Sequence, residues 1–158
     1  MEDNLRPFLV EWTLNFIKNK DIVAKKIERI ENGQSGSSNY DLYVKYKDRE
    51  QFFIIMPNIE EIDPILQKIN NNSFFSIVTL NSRENFDAML RNWSKLTHFK
   101  FLNIMFVNPF SELDKKWIVF PYTHQRVCDE SSLKNGLRSM FGMVEPIEEK
   151  QLIAKISG

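Results

Sequence analysis

The chain has 158 residues, and its 21 basic and 21 acidic side chains give no formal net charge at neutral pH. This length corresponds to one ordinary domain, which can bury about two thirds of the surface of its unfolded chain. We therefore predict a single domain over residues 1–158, with 145–158 as a peripheral tail or a short helix. The balance of charge excludes the whole-chain attraction to phosphate that many nonspecific nucleic-acid binders use.

Cysteine content and hydropathy narrow the class of protein further. Cys128 is the only cysteine in the sequence, which excludes an intramolecular disulfide and a zinc site built from several cysteines. No apolar run approaches the roughly 18 residues that a membrane-spanning helix needs. These features predict a cytoplasmic protein without a membrane segment.

An apolar stripe at helical spacing opens the chain and predicts a helix over residues 4–19. The residues of this stripe are Leu5, Phe8, Leu9, Trp12 and Phe16. The β-branched content then rises, so residues 21–31 are predicted to form a strand. Residues 32–39 are rich in Gly, Ser and Asn and predict a loop.

Two apolar runs, 40–46 and 51–56, flank a polar turn and predict a β-hairpin. The second run is continuously apolar over 52–56, which is typical of a central strand covered on both faces. The elements that follow alternate between the two kinds of structure. They are a helix at 59–69 with Pro64 in its first turn, a strand at 74–80, a helix from Ser82 to about residue 98, strands at 101–107 and 116–122, and a helix capped by Asp129 or Ser131 that stops near Gly142.

This order of elements predicts the fold class. Sequential strands joined by short loops are antiparallel, whereas a strand that follows a crossover helix can pair in parallel. We therefore predict an α/β fold in which a mixed central sheet carries helices on both faces.

The first part of the chain resembles a known family of enzymes. A helix, a three-strand meander, a helix and a strand, with Asp41 at the start of the second strand, are similar to the restriction-endonuclease-like fold of the PD-(D/E)XK nuclease superfamily. The resemblance covers roughly residues 4–107 and implies a three-layer α/β/α architecture. In active members, that Asp and the Glu of a Glu-x-Lys motif on the hairpin partner hold Mg²⁺, and the Lys helps to activate the attacking water.

The catalytic motif of that superfamily is incomplete in this chain. Asp41 matches the Asp, but Ile55 and Pro57 stand where the Glu and the Lys would be. Because neither side chain can bind a hard cation, Asp41 alone provides too few oxygen ligands for Mg²⁺. The resemblance thus predicts a nuclease-like domain without catalysis or cofactor, which serves in nucleic-acid binding or as a subunit of a nucleic-acid-processing assembly.

An active nuclease is the alternative, because a carboxylate can move to another element. Glu60 and Glu61 begin the helix that follows the hairpin, and Glu11 lies on the first helix, so each is a candidate to complete a Mg²⁺ or Mn²⁺ site with Asp41. Asp41 also has a purely local interpretation, in which its carboxylate bonds backbone N–H groups of the preceding loop.

Basic residues interspersed with aromatic ones suggest where nucleic acid would bind. The candidates are Lys25, Lys45, Lys47 and Arg49. Such mixtures can bind phosphates and stack bases, although nearby acids also suit a solvated charged surface. A third interpretation is a protein-interaction module that never meets nucleic acid, with a homodimer as one form if the aromatic residues are exposed.

His124, Cys128 and Asp129 lie within a span of six residues and form the densest group of chemically reactive side chains. A catalytic Cys–His pair needs a hydrogen-bonded geometry that proximity in sequence does not supply. The same stretch is better interpreted as a strand exit followed by a capped helix.

Overall fold

The computed structural model describes residues 4–33 and 40–158, so most of the loop predicted at 32–39 lies outside the described residues. Within the described ranges the chain forms seven helices and six strands. In order they are α1 (Leu5–Ala24), β1 (Ile27–Asn32), β2 (Leu42–Tyr46), β3 (Glu50–Ile55), α2 (Asp63–Leu66), β4 (Phe74–Leu80), α3 (Arg83–Arg91), α4 (Trp93–Leu96), β5 (Leu102–Val107), β6 (Lys116–Val119), α5 (Pro121–Val127), α6 (Glu130–Gly142) and α7 (Glu149–Ser157).

The strands form one mixed sheet in which their spatial order is their order in the chain. β1, β2 and β3 are antiparallel neighbours, β4 and β5 run parallel to β3, and β6 is antiparallel to β5. A short turn joins the antiparallel strands β2 and β3, and helical connections join the parallel strands, as the geometry of the two pairings requires. The predicted mixed α/β fold is therefore confirmed.

Helices cover both faces of the sheet. On one face, Leu9 of α1 and Leu152 of α7 are fully buried with Val78 of β4. On the other face, Phe86 of α3 packs in the cluster that contains Ile77. Adjacent residues of a strand point to opposite faces, which explains why β4 is continuously apolar. None of the helices in residues 4–33 and 40–158 has both the length and the apolar composition that a membrane crossing requires.

The turn between α1 and β1 corrects the first predicted strand. The strand expected over 21–31 begins only at Ile27, because the chain stays helical as far as Ala24. Lys25 then adopts a left-handed conformation with φ of 51°. The Asp21 carboxylate accepts the backbone N–H of the residue after Lys25 at 2.7 Å. This side-chain bond holds the turn that ends the helix, so the β-branched residues before it remain helical.

The helix predicted at 59–69 is only a single turn, Asp63–Leu66. Pro64 lies in its first turn, the one place where a proline costs no helical hydrogen bond. The chain before Asp63 is not part of the helix. Glu60 and Glu61 lie in the loop that precedes the helix and do not begin it, which corrects the expectation for these two acids.

The long helix predicted from Ser82 to about residue 98 is divided at Asn92 into α3 and α4. The Asn92 amide donates to the Ala88 carbonyl at 2.8 Å, and a local bond of this kind competes with continuation of the helix. At the other end, Ser82 caps α3 as predicted, because its hydroxyl accepts the Asn85 N–H at 3.1 Å.

The strand predicted over 116–122 ends at Val119. Pro121 occupies the first turn of α5, a position where its fixed φ favours a helix. The chain thus leaves the sheet as predicted, but the strand ends three residues earlier than expected, and the helix α5 that follows it was not predicted. Asp129 is the cap of the next helix, α6, as one of the two predicted alternatives has it.

The segment predicted as a peripheral tail or a short helix contains α7. Glu148 and Gln151 form a capping box, in which each side chain satisfies a backbone N–H at the start of the helix. Leu152 is fully buried in the core that α1 shares. Of the two alternatives, the helix is therefore confirmed, and it packs on the sheet.

Candidate functional site

Asp41 immediately precedes β2 and connects three elements of the fold. Its backbone N–H donates to the Phe53 carbonyl of β3 at 2.8 Å. Its Oδ2 accepts the Ile55 N–H at 2.7 Å, and its Oδ1 is paired with the guanidinium of Arg6 on α1. The side chain is only 11% exposed. The carboxylate thus bonds a backbone N–H group, as the local interpretation predicts, but that group belongs to β3 and not to the preceding loop.

The surroundings of Asp41 offer no further oxygen from the hairpin side chains. Ile55 is fully buried, and Pro57 contributes only its backbone carbonyl, which accepts the Asn85 amide at 2.9 Å. Both carboxylate oxygens of Asp41 already have partners, and one of those partners is a cation. A metal ion would therefore compete with Arg6 for the same oxygen.

A cleft of about 400 Å³ lies beside Ile55. Arg6, Glu60 and Glu61 line it, whereas Glu11 is an exposed residue of α1 that does not. The structure therefore brings two of the three proposed migrated carboxylates to the same cleft as Arg6. Over the described residues, however, no three His, Cys, Asp or Glu side chains lie together in a group that could hold a metal ion.

Buried amides close the edge where the parallel strands end. Asn81 accepts the Trp117 indole N–H at 2.8 Å and donates to the Val144 carbonyl at 2.9 Å. Asn85 donates to the Pro57 carbonyl and accepts a backbone N–H of the loop after β3. Ligands of open α/β sheets usually bind in a crevice outside the carboxyl ends of the strands. Here the protein's own side chains fill much of that space.

The basic residues predicted to bind nucleic acid lie away from Asp41. Lys47 and Arg49 follow β2, whereas Asp41 precedes it, so a strand of roughly 16 Å separates them. Lys25 ends α1 beside them, since the Lys47 N–H bonds to the carbonyl of the residue after Lys25 at 2.9 Å. Lys45 lies within β2. Lys25, Lys47 and Arg49 thus mark one end of the sheet, which we call the basic end.

A second cleft, of about 600 Å³, opens at the basic end between α1 and the sheet. Arg49 lies on its rim, with its guanidinium carbon 4.4 Å from the centre of the Tyr46 ring and its Nη1 3.3 Å from Asp48. Burial raises the pKa of the Tyr46 hydroxyl above its ordinary value, while Arg49 opposes that shift. Tyr46 is therefore a neutral phenol at physiological pH. We call this space the basic-end cleft.

Polar side chains on three adjacent strands form the floor of the basic-end cleft. Ser76 of β4 is the register partner of Asn103 of β5, and Gln51 of β3 donates to the Ser76 hydroxyl at 2.6 Å. The Asn103 Oδ1 is buried and lacks a hydrogen-bond partner in the part of the chain that the structure describes. Sequence reasoning missed these three residues. A signal was present, because Asn103 is the one polar residue of β5 and Ser76 interrupts the apolar run near the start of β4.

His124, Cys128 and Asp129 each have a local structural role. The His124 ring nitrogen Nδ1 lies 3.0 Å from the Phe120 backbone nitrogen, and Cys128 packs against the hydrophobic core. The Asp129 carboxylate accepts N–H bonds at the start of α6. These contacts favour the structural interpretation of the three residues.

Comparison of the chain with models of protein families, with curated proteins and with solved structures finds no match in any of the three. The fold therefore defines the class at the level of mixed α/β proteins with a six-stranded sheet in the described residues. Within that class, the geometry around Asp41 and at the basic end bears on function.

Proposed function

We propose that the chain is a restriction-endonuclease-like domain that does not cleave nucleic acid but binds it, alone or as a subunit of a nucleic-acid-processing assembly. One observation carries the proposal: the acid that would hold a metal ion, Asp41, is paired with Arg6. A guanidinium is always charged in proteins and forms strong hydrogen bonds to carboxylates. It therefore supplies the positive charge that the metal ion supplies in an active nuclease.

The order and direction of the strands support this assignment. β1, β2 and β3 form an antiparallel meander, and β4 joins β3 in parallel after α2. The Asp41 carboxylate bonds to the Ile55 N–H, so it stands next to the position where the resemblance expects the Glu of Glu-x-Lys. This position supports a match between Asp41 and the Asp of the motif, whereas Ile55 and Pro57 stand where its catalytic partners would be.

The basic end supports the binding part of the proposal. Lys25 and Lys47 are exposed there, beside Arg49. The acids closest to them have local partners, since Asp21 accepts backbone N–H groups and Asp48 is paired with Arg49. Cations gathered on one surface can bind phosphates even when the whole chain has no net charge.

Salt-dependent binding tests the proposal. Fluorescence anisotropy with labelled single-stranded and double-stranded DNA and RNA should show association at low salt that falls steeply as salt is added. A Lys25→Gln, Lys47→Gln double variant should weaken binding and reduce the salt slope by about two. The matched control is Lys134→Gln, Lys150→Gln on α6 and α7, which should bind as the wild type does. Absence of association at low salt would reject nucleic-acid binding and favour a protein-interaction module.

An active metal-dependent nuclease is the second candidate, favoured by the presence of Glu60 and Glu61 in the cleft that Arg6 lines. Cleavage of single- and double-stranded DNA should be measured with Mg²⁺ and with Mn²⁺. Asp87→Asn is a matched control for Asp41→Asn, because Asp87 is also paired with an arginine, Arg83. Our proposal expects no cleavage by any of these proteins. Cleavage that Asp41→Asn abolishes and Asp87→Asn does not would overturn it.

A further inference from the structure

We propose that the basic-end cleft binds a nucleobase that carries a phosphate, either as a free nucleotide or as an unstacked residue of a single strand. Only binding of a single strand rests on the proposed function; binding of a free nucleotide does not. The cleft lies at the opposite end of β2 from Asp41, so it is separate from the position of a nuclease active site. Its volume of about 600 Å³ suits a ligand of this size.

The Asn103 Oδ1 gives the floor of the cleft its chemical requirement. Asn103 lines the cleft, while its Oδ1 is buried and carries the desolvation cost of an oxygen without a partner among the described residues. A ligand N–H could remove that cost once the amide turned toward the cleft. Gln51 and Ser76 beside it already bond to each other, so they fix the floor without satisfying Asn103. Exocyclic amines and ring N–H groups on the edges of nucleobases are donors of the required kind.

The walls of the cleft suit a flat ring. Phe16 comes from α1, Phe74 from β4 and Phe120 from the end of β6, and Tyr46 adds a fourth aromatic ring. Aromatic side chains stack on nucleobases without regard to sequence. A lipid chain would fit these walls as well, but its methyl end would then lie against the unpartnered oxygen of Asn103, which it cannot satisfy.

Cations at the rim of the cleft complete the match. Lys20 and Lys26 are exposed at its mouth, whereas Arg49, which also lines the cleft, is paired with Asp48. Asp21, also at the rim, uses its carboxylate to accept backbone N–H groups. A ligand for this site is thus polar at the buried end, flat and apolar in the middle and anionic at the mouth, which is the description of a nucleotide.

Calorimetric titration of the full chain with the four common nucleoside 5′-monophosphates and with the corresponding nucleosides tests the site. At least one nucleotide should bind, and Asn103→Leu should weaken it about tenfold through the lost hydrogen bond. The matched control, Asn58→Leu, changes an amide that lines the cleft beside Ile55 and should leave affinity unchanged. A Lys20→Gln, Lys26→Gln variant should reduce the affinity for the nucleotide to that for its nucleoside.

A melting curve shows whether the Asn103→Leu variant is folded. Because the substitution removes an unpartnered buried oxygen, its Tm should equal or exceed that of the wild type. Failure of every nucleotide to bind, or equal losses in Asn103→Leu and Asn58→Leu, would overturn the inference.

The two sources of the ligand are separated by repeating the titration with short single-stranded oligonucleotides. Binding of free nucleotides without binding of oligonucleotides would support the cleft and refute nucleic-acid binding by the chain. Oligonucleotide binding that Asn103→Leu leaves unchanged, without nucleotide binding, would support the proposed function and reject the cleft as its site.

Discussion

The two oxygens of the Asp41 carboxylate bind the Ile55 N–H and the Arg6 guanidinium. Only the first of these partners could be predicted from the sequence. The hairpin register aligns Asp41 with β3, so its neighbours Ile55 and Pro57 could be identified from sequence alone. Arg6 could not, because it is 35 residues away and reaches Asp41 only through the packing of α1 on the sheet. The neighbours of an acid within a hairpin can be predicted from the sequence of that hairpin. Its ion-pair partner cannot, because the tertiary structure determines which cation lies beside it.

Removal of the Asp41 carboxylate should destabilise the protein even without any catalytic role. Asp41→Ala leaves the Ile55 N–H without its acceptor, and we expect the free energy of unfolding to fall by about 1–3 kcal/mol. Arg6→Met should cost at most about 1 kcal/mol, since the Arg6 side chain is largely exposed. Urea unfolding measures both. The control Asp87→Ala, in an exposed pair, should change stability by less than about 0.5 kcal/mol; a loss as small in Asp41→Ala would contradict this account.

At the scale of elements, the sequence predicted the type of nearly every long segment but placed some ends wrongly. Ile22 and Val23 suggested a strand, yet they are 66% and 90% exposed on the last turn of α1. Their β propensity is overridden because the helix continues to a turn held by the Asp21 carboxylate. A turn of this kind depends on one side-chain hydrogen bond, so it cannot be predicted from the periodicity of the hydrophobic residues.

The left-handed conformation of Lys25 predicts a stabilising substitution. A residue with a Cβ pays a steric cost at φ of 51°, which glycine does not. Lys25→Gly should therefore raise the free energy of unfolding by about 0.5–1 kcal/mol. Lys25→Ala, which removes the charge and keeps the Cβ, is the control and should give no such gain in urea unfolding. Equal stabilities of the two variants would show that conformation is not the cause.

The cap of α6 predicts a dependence of stability on pH. Hydrogen bonds from the Ser132 N–H and from nearby hydroxyls lower the pKa of the Asp129 carboxyl. A lowered pKa stabilises the folded protein above the ordinary carboxyl pKa, and that contribution is lost as the pH falls through the lowered value. Asp129→Ala should therefore lower the Tm at neutral pH, and the difference should shrink below about pH 4.

A non-titrating variant provides the control for this cap. Asp129→Asn keeps an oxygen acceptor for the backbone N–H but cannot ionise. Its Tm difference from Asp129→Ala should stay constant over the same pH range, as melting curves by circular dichroism would reveal. A constant difference between the wild type and Asp129→Ala would contradict the assigned cause.

For the whole molecule, the sequence predicted a mixed sheet covered on both faces, because continuous apolar strands and amphipathic helices demand that arrangement. The sequence did not predict which ends of the strands adjoin a cleft. Asn81 and Asn85 fill space beyond the carboxyl end of β4, and the cleft of about 400 Å³ lies beside the carboxyl end of β3. The basic-end cleft, with Ser76 and Asn103 on its floor, opens near the amino ends of the parallel strands. Polar residues within apolar strands form the floor of the basic-end cleft, and only the strand register brings them together.

The Asn81 amide should be among the most sensitive positions of the chain. Asn81→Ala leaves the Trp117 N–H and the Val144 carbonyl buried without partners, so we expect a loss of about 2–5 kcal/mol in the free energy of unfolding. Guanidinium unfolding measures the loss, and a cost below about 1 kcal/mol would argue against Asn81 as a shared hydrogen-bonding centre.

The backbone of Asn81 extends this centre to the last part of the chain, because its carbonyl accepts the Ile147 N–H and its own N–H bonds to Val107. The segment that leads into α7 is thus attached at a point that the central sheet also uses. We therefore expect this segment and the central sheet to open as one cooperative unit in amide hydrogen exchange. The Ile147 amide should exchange about as slowly as the amides of β4 and β5. Fraying that begins at the carboxyl terminus should stop before it reaches Ile147.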